Sequence, residues 1–377
     1  MALMTRLRFG LIGTGFIGRA HAIALNAVGA VFADTGAPVC ELLADTSPEA
    51  ARRAADALGF ARATGDWRKL VTDPAVDVVD ICTPNHLHRE MALAAIAAGK
   101  HVYCEKPLAN TAREAREIAA AADAAGVRHM MGFNYICNPL LQVARDMIAA
   151  GELGEVYAFR GHYLEDYMSD PAVPWSWRCD RALAGSGALA DLGSHLVNLG
   201  HFLLGAIARV QGSLQTVHAT RRDPASGAQR AVENEDIARA LIEFRRGVPG
   251  TFEVSRVATG YKCGLGFVLS GTKGALEFDQ ERMNELRWYD ADSKPARRGF
   301  RTILSGPEHP DYRPFCPAPG HGLGYNDLKV IEVRNVIRAI ADGAPAWTDF
   351  HEGARVQQVM EAIEQSHAAR AWTEVGS

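Results

Sequence analysis

The run "HVYCEKPLAN" ends an apolar stretch in an acid, a base and a proline, Glu105, Lys106 and Pro107. Charged side chains are seldom left in a core unless they are paired or used. A lysine leaving a strand here can hydrogen-bond a reacting oxygen and lower the cost of developing negative charge. The plain alternative is a strand-end ion pair between Glu105 and solvent-exposed lysines. A second run, "GSGALADLGSHLVNLGHFLLG", sets Asp191 and His195 at i and i+4, one face of a helix. A hydroxyl being oxidised loses its proton as hydride leaves carbon, and histidine is the natural base near neutral pH. A neighbouring carboxylate would orient the ring and support the imidazolium. Taken alone, a histidine on an apolar helix is more often structural; His201 and Asn198 on the same helix are read as structural or partner contacts.

Hydride chemistry needs an acceptor, and "GLIGTGFIGRAHA" supplies a place for one. Gly13, Gly15, Phe16, Ile17 and Gly18 lie in a G-x-G-x-x-G that follows a strand and opens a helix, the context in which the motif binds dinucleotides. Gly13 permits the tight turn, Gly15 the approach of the pyrophosphate, and Gly18 close helix–strand packing. The phosphates then meet free N–H groups at the positive end of the helix. Asp45 ends the second strand, somewhat further from Gly18 than the usual ~20 residues, with "NAVGAVFADTGAP" absorbing the excess. A carboxylate there accepts the ribose hydroxyls and repels a 2′-phosphate. Arg52 and Arg53 stand a helical turn or more away, so NAD is expected rather than NADP. "CTPNHLH" falls at the carboxyl end of the next strand, where open α/β sheets bind ligands, which puts Thr83, Pro84, Asn85 and His88 beside the cofactor. His86 and His88, at i and i+2 with no cysteine or acidic cluster nearby, are poor evidence for a metal, and none is expected.

The elements that would position these residues alternate strand and helix through the first third, the rhythm of a doubly wound parallel sheet. "SPEAARRAADALG" reads as a helix with Ser47 as N-cap, Pro48 at its first position and Gly59 as its stop. The rhythm breaks near Asn134. Runs such as "VYAFRGHYL" and "CGLGFVLSGTKGALEFD" follow one another with hairpin turns at "FRRG" and "SGTKG". We expect an α/β Rossmann domain over 1–134, and an α+β domain with an open, mostly antiparallel sheet over 135–377. The Pro/Gly-rich loop 306–325 carries His309, His321 and Tyr325. It is expected to close part of a substrate pocket, in its own or a neighbouring subunit, with His321 as a substrate contact.

The chain has 377 residues, a formal net charge of −4 and 48% hydrophobic residues, ordinary for a soluble globular protein. It offers no basic field for nucleic acid or an anionic membrane, and no apolar run as long as a membrane span. The first residues run into a strand pattern without a signal-like apolar region, so a cytoplasmic location is expected. Seven widely spaced cysteines without a C-x-x-C fit reduced thiols better than disulfides or a zinc cluster.

Together these motifs resemble the Gfo/Idh/MocA oxidoreductases, essentially over the whole chain, including "TPNHLH", "DLGSHLVNLGHFLLG", "SGTKGALEF" and "DFHEGARVQQVMEAIEQSHAARAW". The resemblance implies a Rossmann domain, an open sheet that mediates oligomerisation (a dimer or tetramer) and a Lys, Asp and His at the active site, matching Lys106, Asp191 and His195. It also implies a cis peptide before Pro107. "SWRCDRALAGSGALADLGSH", "RRGFRTILSGPEHP" and "GHGLGYNDLK" look like the branch of levoglucosan and inositol dehydrogenases, including enzymes acting on L-glucose and scyllo-inositol. In that setting Trp177 and Arg178 fall near nicotinamide and substrate, with Tyr163 and Asn134 as further candidates, and Glu105 belongs to the cofactor rim. The expected activity is NAD-dependent oxidation of a ring hydroxyl of a cyclitol or pyranose. The alternatives are a levoglucosan or other aldose dehydrogenase, and an NAD-binding sensor without catalysis.

Overall fold

The structure is a computed structural model and describes residues 6–343 and 347–376. The chain divides into two compact units, Met1–Cys137 with Gly324–Arg355, and Asn138–Leu323 with Val356–Ser377. The first unit takes back a late segment that the boundary expected near residue 134 had given to the second domain.

In the first unit, β1 (Arg8–Ile12), β2 (Val39–Ala44), β3 (Arg62–Thr64), β4 (Val78–Ile81), β5 (His101–Glu105) and β6 (His129–Gly132) form one sheet in the order β3-β2-β1-β4-β5-β6. All its pairings are parallel, and the order reverses direction beside β1, the switch point at which such sheets bind dinucleotides. The helices α1 (Phe16–Val31), α2 (Pro48–Leu58), α3 (Trp67–Val71), α4 (His88–Ala97) and α5 (Ala112–Ala125) alternate with the strands. Their ends follow the sequence signals: the Ser47 side chain accepts the Ala50 N–H, and Gly59 ends α2 at φ 78°. Every residue of β4 is buried, which explains its near-continuous apolar run and makes Asp80 within it conspicuous.

In the second unit, α6 (Pro139–Ala149) precedes β7 (Val156–Leu164), and α7 (Arg181–Ala184) and α8 (Ser194–Leu204) precede β8 (Ile207–Gln215). A short hairpin, β9 (Thr220–Arg222) and β10 (Gln229–Ala231), stands apart from the main sheet. Then come β11 (Ile237–Phe244), β12 (Pro249–Ser255), β13 (Gly264–Gly271), β14 (Gly274–Asp279), β15 (Glu285–Asp290) and β16 (Arg301–Leu304). Helices α9 (Tyr325–Ala341) and α10 (Phe350–Ala369) and the strand β17 (Thr373–Glu374) complete the chain. The main sheet has nine strands in the order β16-β15-β14-β13-β7-β12-β11-β8-β17. It is antiparallel except for the β12–β7 pair, which is parallel. Along β11 the buried Ala238, Ala240, Ile242 and Phe244 alternate with outward residues, the period-two signature of a sheet packed on one face. That inner face meets α8, which is buried all round, and a Cβ on Gly200 would press Phe252 at 3.2 Å and Phe244 at 3.5 Å.

Helix α9 belongs to the first unit. Its Tyr325 ring stacks on Phe16 at 5.9 Å, and Arg334 pairs with Asp34 at 3.0 Å. This packing, on a helix remote in sequence from β1–β6, is why a boundary read from strand–helix rhythm fell short.

Candidate active site

The candidate residues fall into two sets, one in each unit. In the first unit the glycine-rich turn is shaped by close approaches. A Cβ on Gly13, whose φ is +93°, would lie 2.7 Å from the Cys82 carbonyl oxygen, and one on Gly18 would overlap the Gly13 carbonyl. Gly15 meets nothing within 4 Å, so the open side of the turn is where a pyrophosphate can approach. Gly15 caps α1 without a side-chain hydrogen bond, leaving the first helical N–H groups to a ligand. Phe16 is 79% exposed at the same place, despite its stack on Tyr325. At the end of β2, the Asp45 carboxylate accepts Thr14 Oγ1–H and, at 2.6 Å, the Thr46 N–H. Burial pushes its carboxyl up, but these hydrogen bonds outweigh that and hold it below the usual carboxylate range. Asn134 is buried and its Nδ2 finds no partner among the described residues, an orphaned donor that a bound group would satisfy. These features fit a dinucleotide.

The loop after β4 places Thr83, Pro84 and Asn85 at half-buried positions. His88 differs from expectation. It is fully buried, with Nδ1 2.7 Å from the Pro107 carbonyl and Nε2 2.8 Å from the Thr83 carbonyl. Its polar atoms are spent inside the unit, where they tie this loop to the turn after Lys106. The Lys106–Pro107 peptide is cis.

Glu105 also departs from the strand-end pair considered above: its lysine partner is buried. Its Oε1 accepts from Lys329 Nζ at 2.6 Å and His21 Nε2 at 2.9 Å, and its Oε2 from the Lys106 N–H at 3.1 Å. His21 Nδ1 donates to Asp80 at 2.9 Å, Lys329 also reaches Glu332 at 2.8 Å, and the Tyr103 hydroxyl donates to Glu332. Burial alone would discharge these groups. For His21, the Asp80 charge and the two carboxylate hydrogen bonds overcome burial and push its pKa up to about 9. For Glu105, burial is outweighed by the Lys329 charge and the His21 hydrogen bond, so its carboxyl is held well below the usual range. Lys329, between two carboxylates, is pushed well above its ordinary value despite burial. Burial raises the Glu332 carboxyl.

In the second unit, Asp191 lies in a π-helical turn, Leu189–Gly193, that runs into α8. The regular helical face expected for Asp191 and His195 is thus interrupted, a local irregularity frequent at functional sites. The turn is held by Glu235, a buried residue whose Oε1 accepts the Gly187 and Leu189 N–H groups at 2.8 Å each. Tyr167 donates its hydroxyl to Asp191 Oδ2 at 2.7 Å, and Arg178 Nε stands 3.7 Å from the same oxygen. Burial and the Asp191 charge push the Tyr167 phenol well above its usual range, so it remains a donor. Arg178 lies over the Trp177 ring at 4.6 Å. Its carbonyl accepts from Asn234 Nδ2 at 3.0 Å and Arg256 Nη1 at 3.1 Å, and Arg256 pairs with Asp236 at 2.9 Å. His195 is 8% exposed, and the Tyr163 ring approaches it edge-on at 6.0 Å. His321 is exposed, with Nδ1 3.1 Å from the Pro319 carbonyl.

Tyr167, Glu235, Arg256, Lys329 and His21 were not among the expected site residues. Asp80 in an apolar strand was a usable signal, because a buried charge demands a partner. Two groups of described residues bring metal-ligand atoms together, His21–Asp80–Cys82 and Asp123–His129–His351. In the first, both His21 nitrogens are committed to carboxylates. In the second, His129 Nδ1 accepts the Phe350 N–H at 3.0 Å, so a neutral ring carries its proton on Nε2, facing Asp123, and presents a donor there rather than a lone pair for a metal.

Residues 7–133 match the family described as "Oxidoreductase family, NAD-binding Rossmann fold", and residues 141–277 match "GFO/IDH/MocA C-terminal domain". The chain belongs to the Gfo/Idh/MocA oxidoreductase family. It is an NAD-dependent dehydrogenase of that family. It is 38% identical to levoglucosan dehydrogenase of Pseudarthrobacter phenanthrenivorans over 99% of each chain. A solved levoglucosan dehydrogenase in complex with NADH and levoglucosan superposes with a TM-score of 0.96 at 39% identity, covering 99% of this chain and 100% of that one. An inositol dehydrogenase homologue from Azotobacter vinelandii, complexed with NAD+, gives a TM-score of 0.84 at 26% identity over 99% and 98% of the two chains.

Proposed function

We propose that this member of the family oxidises a ring hydroxyl of an anhydropyranose such as levoglucosan, with NAD as the acceptor. The observation that carries the reading is end-to-end similarity to levoglucosan dehydrogenase at 38% identity, with Lys106, Asp191 and His195 all present. This favours the levoglucosan alternative over the inositol or L-glucose substrates that the motifs alone put first. The cyclitol reading stays second, supported by similarity to the inositol dehydrogenase homologue along the whole chain.

NAD supplies the hydride acceptor. His195 takes the hydroxyl proton at an imidazole nitrogen, as a base whose ordinary range lies near neutrality. Asp191 orients it, with Oδ2 held by Tyr167 and by nearby Arg178. Lys106 hydrogen-bonds the reacting oxygen and steadies its negative charge as the C–H bond breaks. Gly13, Gly15, Phe16, Ile17, Gly18, Asp45, Thr83, Pro84, Asn85 and Asn134 would hold the cofactor, and Trp177, Arg178 and Tyr163 would serve the sugar. An NAD-reduction assay over levoglucosan, L-glucose, myo-inositol and scyllo-inositol tests this. Levoglucosan should give the highest kcat/KM. A higher value for a cyclitol would move the assignment to the second reading, and tight NADH binding with no turnover would make the chain a sensor.

A further inference from the structure

The ion cluster around Glu105 takes no part in the chemistry assigned above. Desolvating charges costs several kcal/mol per ion, and apolar side chains of similar volume commonly pack at least as stably. Yet Lys329 and Glu332 from α9, His21 from α1, Asp80 from β4, and Tyr103 and Glu105 from β5 all converge fully buried in the first unit. Glu105 carries the link from this cluster to the active lysine. One carboxylate oxygen takes Lys329 at 2.6 Å and His21 at 2.9 Å, while the other takes the backbone N–H of Lys106 at 3.1 Å. The neighbouring strand leaves the carboxylate no slack, because a Cβ on Gly132 would lie 2.7 Å from Glu105 Cδ.

We propose that Lys329 is a positioning residue for the reaction: by clamping Glu105 it fixes the backbone of Lys106, and so the place of the Lys106 ammonium. Lys329 does this without touching substrate or cofactor. One turn earlier on the same helix, Tyr325 stacks on Phe16 of the glycine-rich loop, so the start of α9 braces both the dinucleotide loop and the strand end bearing the lysine. The proposal rests on the reading of Lys106 as the residue that meets the reacting hydroxyl.

The test is Lys329→Met, assayed with NAD and levoglucosan well below its melting temperature. It should lose about tenfold or more in kcat, while the NADH dissociation constant and the sugar KM stay within about threefold. Placed in a Lys106→Met background it should change kcat by less than about twofold, because the group it acts through is already gone. A native kcat in the single variant, or an equal loss in both backgrounds, overturns the proposal. If Lys329→Met does not fold, Gly132→Ala displaces the Glu105 carboxylate while keeping every charge. The same split of kcat from binding is expected, and a folded Gly132→Ala with native kcat overturns the proposal as well. A wild-type chain that turns over no sugar or polyol removes the functional reading and this proposal with it, an outcome distinct from turnover that Lys329 does not affect.

Discussion

In the proposed reading cofactor choice rests on Asp45, a carboxylate whose two oxygens are already oriented by Thr14 and the Thr46 N–H. A fixed anion at the end of β2 suits two ribose hydroxyls and opposes a 2′-phosphate. Asp45→Ala should therefore lower kcat/KM for NAD by roughly 10–100-fold, the worth of hydrogen bonds to a charged group. The loss should lie in KM, and NADP should suffer little or gain. Steady-state kinetics with both cofactors check this, and equal losses would remove Asp45 from the role. His195→Ala should cost about 10²–10⁴-fold in turnover, the usual span for acid–base catalysis, and abolish the rise of oxidation rate with pH. A variant with near-native rate and the same pH profile would mean that another group takes the proton. The strand ends before Asp45 and Lys106 and the helical run bearing Asp191 and His195 were legible because each lies in a short motif whose neighbours announce a turn, a strand end or a helix. Tyr167 and Lys329 were not: Tyr167 meets Asp191 across 24 positions and Lys329 meets Glu105 across 224, with only folding to bring them together.

At the scale of elements, two buried polar devices hold the candidate site in shape, and each has a measurable signature. The π-helical turn bearing Asp191 depends on Glu235, which satisfies two backbone N–H groups at once. Glu235→Ala leaves both without that partner in a buried place. At about 1–3 kcal/mol for each unsatisfied group, the variant should melt several degrees lower and lose turnover with Asp191 misplaced. Thermal melting alongside kcat checks it, and a native melting point with native rate would show the turn to be self-supporting. The second device joins α1, β4, β5 and α9 through His21. Its pKa is raised from 6.5 to about 9 in the fold, so its contribution is fully present below pH 6.5 and is lost as pH rises through 9. A shift of that size is worth about 3 kcal/mol. Melting temperature should fall across this window, and His21→Gln should flatten the slope while lowering stability at pH 6.5. Parallel slopes in both proteins would place the titration elsewhere. The Rossmann strands and caps could be read in advance because their signals are local. The π turn could not, since its geometry follows from a carboxylate contributed by the segment before β11.

In the whole molecule, the loop between β16 and α9 leads from the second unit into the late segment of the first. Its backbone is tied down within the second unit. Asn284 Oδ1 accepts Ser305 Oγ–H and the Leu323 N–H at 2.8 Å each, Asn284 Nδ2 donates to the Leu323 carbonyl at 2.9 Å, and the buried Tyr312 donates its hydroxyl to the His321 carbonyl. On that fixed frame the His321 ring points to the surface of its own chain. We propose that this loop closes part of the sugar pocket, in its own or a neighbouring copy, with His321 as a hydrogen-bonding contact. A polyhydroxylated ring needs such donors and acceptors, because the wrong epimer is rejected by leaving them unpaired. His321→Ala should then raise KM for levoglucosan by about tenfold while leaving KM for NAD unchanged, the loss of roughly one well-placed hydrogen bond. If a neighbouring copy supplies the loop, the specific activity of the wild-type chain should also fall on dilution, in step with a fall in mass measured by light scattering. If sugar kinetics are untouched in the variant and activity is independent of concentration, the loop serves only to join β16 to α9.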